Sequence, residues 1–234
     1  MYSTHKDVAL MRIVLRIGGS VIASPINPDL ISRYSDLLKD LSRQNHGLVV
    51  VVGGGKLARE FIAAARNIGL DEPAQDEIAI SVSRIFAQLL LKKLGEAGCE
   101  TMPLTINDAV KWLVKGKVVV MGGLKPGMTT DTVAALVADR VKADVLVKAT
   151  DQNGVYDKDP KKHPNAVKLD HLSFEDLSRV FLEDKHKAGI HQIIDPEAVK
   201  ILRRHKVRVV VVNGFKPTNV LRAIEGQDIG TVIG

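Results

Sequence analysis

The sequence predicts an α/β fold: a mainly parallel sheet covered by helices on both faces. Three observations carry that expectation. Five short apolar runs, Met11 to Ile17, Leu48 to Val52, Val118 to Met121, Val145 to Val147 and Val207 to Val212, are rich in valine and isoleucine and nearly continuous, the pattern of strands buried on both faces. Segments with helical spacing separate them, and strand–helix alternation implies right-handed crossovers. Most runs end in small residues: Gly18-Gly19-Ser20, Gly53-Gly54-Gly55, Gly122-Gly123 and Asn213-Gly214.

The elements follow in order. Residues 1–10, MYSTHKDVAL, lack the apolar stretch of a signal peptide and read as an extension, with the first strand beginning at Met11. Asn27-Pro28 is an N-cap followed by proline at the first helical position, opening a helix to about Gln44. From Glu77 to Leu94, Ile78, Val82, Ile85, Phe86, Leu89 and Leu90 give helical spacing, with Asp76 just ahead of them. Ser173 with Asp176 forms a capping-box pattern. Asp195-Pro196 repeats the proline signal before a helix ending near His205, and the basic stretch Lys200 to Arg208 reads as the exposed end of that helix running into a strand.

Composition narrows the function. A length of 234 residues suits one large domain or two lobes sharing a sheet. Hydrophobic residues at 45% and charged residues at 26% exclude a disordered or fibrous chain. No apolar run reaches the length needed to span a bilayer. The net charge of +6 suits a mildly basic cytoplasmic surface or a site for anionic ligands. With aromatics at 4%, stacking platforms for nucleic acid are few. Cys99 is the single cysteine, so no internal disulfide forms; it reads as a packed structural thiol in a reducing compartment. The histidines are scattered without metal-ligand spacing.

In an open parallel sheet, ligands bind at the carboxyl ends of the strands, and glycine there lets backbone N–H groups approach an anion closely. Several glycine clusters on one edge therefore suggest a polyphosphate site. No Walker A motif is present. Gly53, Gly55 and Ala58 satisfy a loose dinucleotide pattern, with Asp76 about twenty residues on, but Asp76 does not end a second strand as a dinucleotide fold requires. Lys56 and Arg59 flank a glycine turn that opens a helix, a ready phosphate site; Lys56 reads equally as a solvated helix residue. Arg16 lies in an otherwise apolar strand and needs an anion, from a structural salt bridge or from a ligand phosphate. GGLKPGMTTD, from Gly122 to Asp131, is a loop with two hydroxyls and an aspartate at a helix start. TDQNGVYDKDP, from Thr150 to Pro160, is a polar turn in which Tyr156 could border a base.

Taken in order, GGS, GGGKLAR, the aspartate at a long helix, the PG-TTD loop and the GVY-DP turn resemble the amino acid kinase superfamily, closest within it to the archaeal uridylate kinases. The resemblance covers roughly Met11 to Gly234. It implies an αβα sandwich that phosphorylates UMP to UDP with ATP and Mg²⁺ and assembles as a homohexamer. UTP is its expected inhibitor, through occupancy of the acceptor site. By this resemblance Gly18, Gly19 and Ser20 cradle the ATP phosphates, and Gly54, Gly55 and Arg59 lie between the two nucleotides. Asp76 holds the UMP ribose. Gly123, Leu124, Lys125, Pro126, Gly127, Met128, Thr129 and Thr130 wrap UMP. Asp131 organises the catalytic cations, Arg16 among them, and Thr150, Asp151, Tyr156 and Asp159 form the ATP nucleoside pocket. Residues 11–144 would mainly bind UMP and 145–234 mainly ATP. Related isopentenyl phosphate kinases carry a histidine where this chain has Lys56. Three positions depart from the usual pattern: Arg16 replaces a lysine, the turn has Asp151 and Asn153 where Asn then Asp is usual, and Lys148 stands at a commonly apolar strand position, as a further cation or as a surface-facing strand end. The other readings are a different small-molecule kinase of this fold, a non-catalytic nucleotide- or oxyanion-binding protein, and a dinucleotide oxidoreductase.

Overall fold

All five apolar runs form strands. The computed structural model describes residues 10–177 and 194–234, so the extension lies, but for Leu10, outside the described residues. The strands are β1 (Arg12–Ile17), β2 (Gly47–Val52), β3 (Val119–Met121), β4 (Val145–Thr150), β5 (Val155–Tyr156), β6 (Lys168–Leu169), β7 (His171–Leu172), β8 (Arg208–Asn213) and β9 (Thr231–Ile233). The helices are α1 (Gly19–Ile22), α2 (Pro28–Arg43), α3 (Gly55–Asn67), α4 (Glu72–Leu94), α5 (Ile106–Val114), α6 (Thr130–Val141), α7 (Pro196–His205) and α8 (Pro217–Ile224).

Among the described residues, seven strands form one sheet in the order β3-β2-β1-β4-β8-β9-β7. The first five are mutually parallel, β9 runs antiparallel to β8, and β7 pairs parallel with β9. β5 and β6 make a separate antiparallel ribbon. Three of the short strands, β5, β6 and β7, have two residues each and β9 three, below the length at which a run of apolar residues stands out.

Side-chain alternation sorts the core. Ile13, Leu15 and Ile17 of β1, with Val145, Val147 and Ala149 of β4, join the cluster under α2, α4 and α8. Val14 and Leu146 point the other way, into the cluster with Val133 and Val137 of α6 and Val199 and Leu202 of α7. Burying each such aliphatic side chain contributes about 1.5–3 kcal/mol, and both faces being covered explains why the strands read as continuous rather than alternating.

The caps largely follow the sequence. Asn27 Oδ1 accepts from Leu30 N at 3.0 Å, and α2 ends at Arg43. Asp195 Oδ1 accepts from Glu197 N and Ala198 N to open α7. Ser173 and Asp176 exchange reciprocal capping bonds. One boundary is corrected. α4 begins at Glu72 under an Asp71 cap, so Asp76 lies inside the helix rather than ahead of it; the first turns of α4 are polar and carry no apolar period. Cys99 is buried, and burial pushes its thiol up. The last turn of α7 carries Arg203, Arg204 and His205 on the surface. No described helix is long and apolar enough to cross a membrane.

Candidate active site

Because β1, β2, β3, β4 and β8 are parallel, their carboxyl ends share one edge, and the glycine turns gather there. Arg16 pairs in register with Lys148, so both side chains project from the sheet face that carries α6. There they meet Asp131, on the first turn of α6. Arg16 Nε lies 2.8 Å from Asp131 Oδ1, and Lys148 Nζ lies 2.5 Å from Oδ2. One carboxylate thus serves two cations. The Arg16 contact is an ion pair at short range without hydrogen-bond alignment, leaving both buried atoms without a hydrogen-bond partner. Arg16 Nη2 also donates to Thr130 Oγ1 at 3.0 Å.

Burial opposes ionisation at both ends of this cluster. It would raise the Asp131 carboxyl, but the charges of Arg16 and Lys148 hold it below the usual carboxylate range. For Lys148, burial wins: the amine is pushed down to about 8 against the pull of Asp131, with Arg16 adding to the fall. Asp195 is a second carboxylate whose charge acts on it. It accepts from Thr129 Oγ1 at 2.5 Å and from Thr132 Oγ1 at 3.0 Å.

Two glycine turns close over the cluster. A methyl on Gly19 would lie 1.9 Å from Gly55 N, and one on Gly53 would come 3.3 Å from Arg16 Nη2. Gly55 takes φ +63, a left-handed conformation that glycine adopts without strain. Ser24 Oγ accepts from Lys56 N at 2.7 Å and ties the turns together. Gly19→Ala is therefore expected to cost about 1–3 kcal/mol by overpacking, seen as a melting temperature lowered by roughly 2–10 °C. An unchanged melting temperature would show that the turns do not need this approach.

Beside the turns lies a cleft of about 390 Å³ lined by Gly54, Asp76, Gly123, Gly127, Met128, Thr129 and Thr130, among others. Three residues of α4 hold its outer loop. Asp76 Oδ2 accepts from Gly127 N at 2.7 Å, the buried Ser83 Oγ accepts from Gly123 N at 2.8 Å, and Arg84 donates from Nε to Gly123 O and from Nη2 to Leu124 O. Leu124 and Lys125 turn aside, into a separate groove with Leu104 and Ile106, and Pro126 is exposed.

On the other side of the edge, Gly18 N donates to Ala149 O, and Thr150 and Asp151 follow at the end of β4. Lys161 links two of the three aspartates of the polar turn: its Nζ lies 2.8 Å from Asp151 Oδ2, and its backbone N donates to Asp159 Oδ1. Burial would raise the Asp151 carboxyl, but Lys161 holds it below its ordinary value. Arg59 is exposed on the first turns of α3, makes no ion pair among the described residues, and acts electrostatically on Lys161. Lys56 is also exposed and sits 3.5 Å from Glu60, as a solvated helix residue would.

The model of the amino acid kinase family matches residues 11–213. The chain belongs to the amino acid kinase family. Among its family relatives, a uridylate kinase of Methanothrix thermoacetophila is 43% identical over 223 residues, covering 95% of this chain and 99% of that protein. One of Methanobrevibacter smithii is 36% identical over the same coverage. The crystal structure of uridylate kinase from Archaeoglobus fulgidus superimposes with a TM-score of 0.85 at 38% identity, over 96% of this chain and 100% of that one. A UMP kinase from Ureaplasma parvum shares the fold at 21% identity, with a TM-score of 0.80.

Sequence reasoning left Lys148 open between cation and surface position. The structure buries it, with 4% of its surface exposed. A signal was present: in a two-residue alternation Lys148 shares the face of Leu146, as Arg16 shares that of Val14. Ser83 and Arg84 were missed because loop-holding residues on a helix have no motif. Asp195 was read only as a cap.

Proposed function

We propose that this family member transfers the terminal phosphoryl group of ATP to UMP, yielding UDP and ADP. The observation that carries the reading is the pair of facing glycine turns over a buried Arg16–Asp131–Lys148 cluster, beside a cleft whose wall carries Asp76. Two polyanions brought end to end need backbone N–H donors and cations between them.

In this reading the cleft takes UMP, with Asp76 on the ribose hydroxyls and Thr129 and Thr130 near base or phosphate. Gly18, Gly19 and Ser20 receive the ATP phosphates, with Thr150, Asp151, Tyr156 and Asp159 around the nucleoside. Residues 11–144 then mainly bind UMP, and residues 145–234 mainly ATP. A UMP phosphate oxygen attacks the terminal phosphorus, the bond to the bridging oxygen breaks, and ADP leaves with those electrons. The attacking oxygen is already anionic, so no general base is required, and the protein positions the groups and neutralises their charge.

Asp131 is taken up by two cations, and a magnesium ion carried on the nucleotide would neutralise phosphate charge between the two substrates. We further read the exposed Phe61, Ile68, Ile85 and Leu89 of the α3–α4 region as a face that copies of the chain cover in a homohexamer. UTP is read as an inhibitor that occupies the acceptor cleft.

The test is transfer of labelled terminal phosphate from ATP in the presence of UMP. Label in UDP is the expected result; label only in inorganic phosphate would overturn the reading. Asp76→Asn should raise KM for UMP by about tenfold, the worth of a hydrogen bond to a charged group, with kcat within about threefold. An unchanged KM would remove Asp76 from the acceptor site.

A further inference from the structure

We propose that Lys148 is a catalytic residue of the transfer step: its ammonium, held on Asp131 in this structure, contacts the phosphoryl group passing between the two glycine turns. This rests on the kinase reading above.

Lys148 stands on β4 between Val147 and Ala149, directly across from Arg16 on β1, near the carboxyl end of the sheet. Its Nζ and the Arg16 guanidinium share one carboxylate through separate oxygens. The Arg16 head lies close to where side chains on Gly18 and Gly53 would begin, at 3.1 and 3.3 Å. The Arg16 guanidinium therefore sits against both turns, and Lys148 shares its carboxylate from the neighbouring strand.

Asp131 alone faces two cations at contact distance. Asp195, the next carboxylate, is engaged by Thr129, Thr132 and the first amides of α7. The Arg16 Nε and Asp131 Oδ1 atoms are buried without completing a hydrogen bond. A buried cluster with a surplus cation calls for a further anion.

A structural purpose for the ammonium is weak. The neighbours of Lys148 on its strand are apolar, and an apolar residue would satisfy the sheet while leaving Arg16 to pair with Asp131. Burial lowers the lysine to about 8, below its unfolded value. The native state therefore holds this cation at a cost in stability that diminishes only as pH rises above that point. A group kept charged at such a cost is a functional-site candidate.

The test compares Lys148→Met and Lys148→Arg with the native chain. Affinities for ATP and ADP are measured by calorimetry without magnesium, which reports the terminal phosphate independently of turnover. Lys148→Met is expected to reduce the preference for ATP over ADP by about tenfold or more, the worth of a charge-assisted contact. Its kcat should fall at least about tenfold with KM for UMP within about twofold, and Lys148→Arg should recover most of both. The native preference should decline as pH rises through about 8 while that of Lys148→Arg stays level, because a guanidinium keeps its charge there; Arg16, Asp131 and Asp195 are the charged groups that act on Lys148 from β1, α6 and α7. A folded Lys148→Met that prefers ATP as the native chain does would overturn the proposal. Should that variant fail to fold, a native preference that is level across about pH 7 to 9.5 would overturn it equally. A chain that shows the Lys148-dependent preference yet makes no UDP would refute the kinase reading and leave the phosphate contact standing.

Discussion

Replacing Asp131 by asparagine is expected to lower kcat by about 10²-fold or more, the scale seen when a preorganised electrostatic group is removed from a transfer site. The carboxylate is 14% exposed and pairs Arg16 and Lys148 on separate oxygens. Asparagine keeps the shape and removes the charge, leaving two buried cations to repel. Breaking one partner of a buried network costs about 3–5 kcal/mol, so a lowered melting temperature should accompany the loss. The native Asp131 is held below its ordinary carboxyl value. Its contribution to stability is therefore present above the unfolded carboxyl value and disappears as pH falls through the lower folded one. Asp131→Asn should remove that acid-side dependence. Thermal melts between neutral and acidic pH, alongside steady-state rates, check both effects. A variant with native turnover would remove the cluster from the chemistry.

Arg59→Ala should behave differently. Arg59 is exposed and unpaired among the described residues, so its removal is expected to change stability by no more than about 0.5 kcal/mol. Turnover should nonetheless fall at least about tenfold, because a guanidinium beside facing phosphates neutralises charge that builds up only when both substrates are bound. Lys161 is within its electrostatic influence, which places Arg59 towards the proposed ATP side. The discriminating measurement is kcat with both nucleotides saturating, together with a melting curve. Near-normal turnover in a normally folded variant would refute the role.

The contrast between these two residues shows what a sequence reveals. The glycine turn that opens α3 ahead of Arg59 was legible because it is a local pattern, and so were the strands and the Asn27 and Asp195 caps, which local chemistry sets. The Arg16–Asp131–Lys148 cluster depends on β1 pairing with β4 and on α6 crossing that face. Such pairings join residues more than a hundred positions apart, and no local period encodes them. Arg16 stood out as a charge in an apolar strand. Lys148, near a strand end, could equally face solvent until its partner strand was known. The start of α4 was misplaced for a local reason, its polar first turns, and Arg84 escaped notice because it works through backbone carbonyls on a loop forty residues away.

The choice of acceptor is the most direct measure of whether the cleft takes UMP. ADP release from ATP and magnesium should be followed with UMP, CMP, AMP, GMP and isopentenyl phosphate under identical conditions. The structure and the family relationship predict selective turnover of UMP. Turnover of isopentenyl phosphate in preference to UMP, or none with any acceptor despite measurable ATP binding, would contradict it.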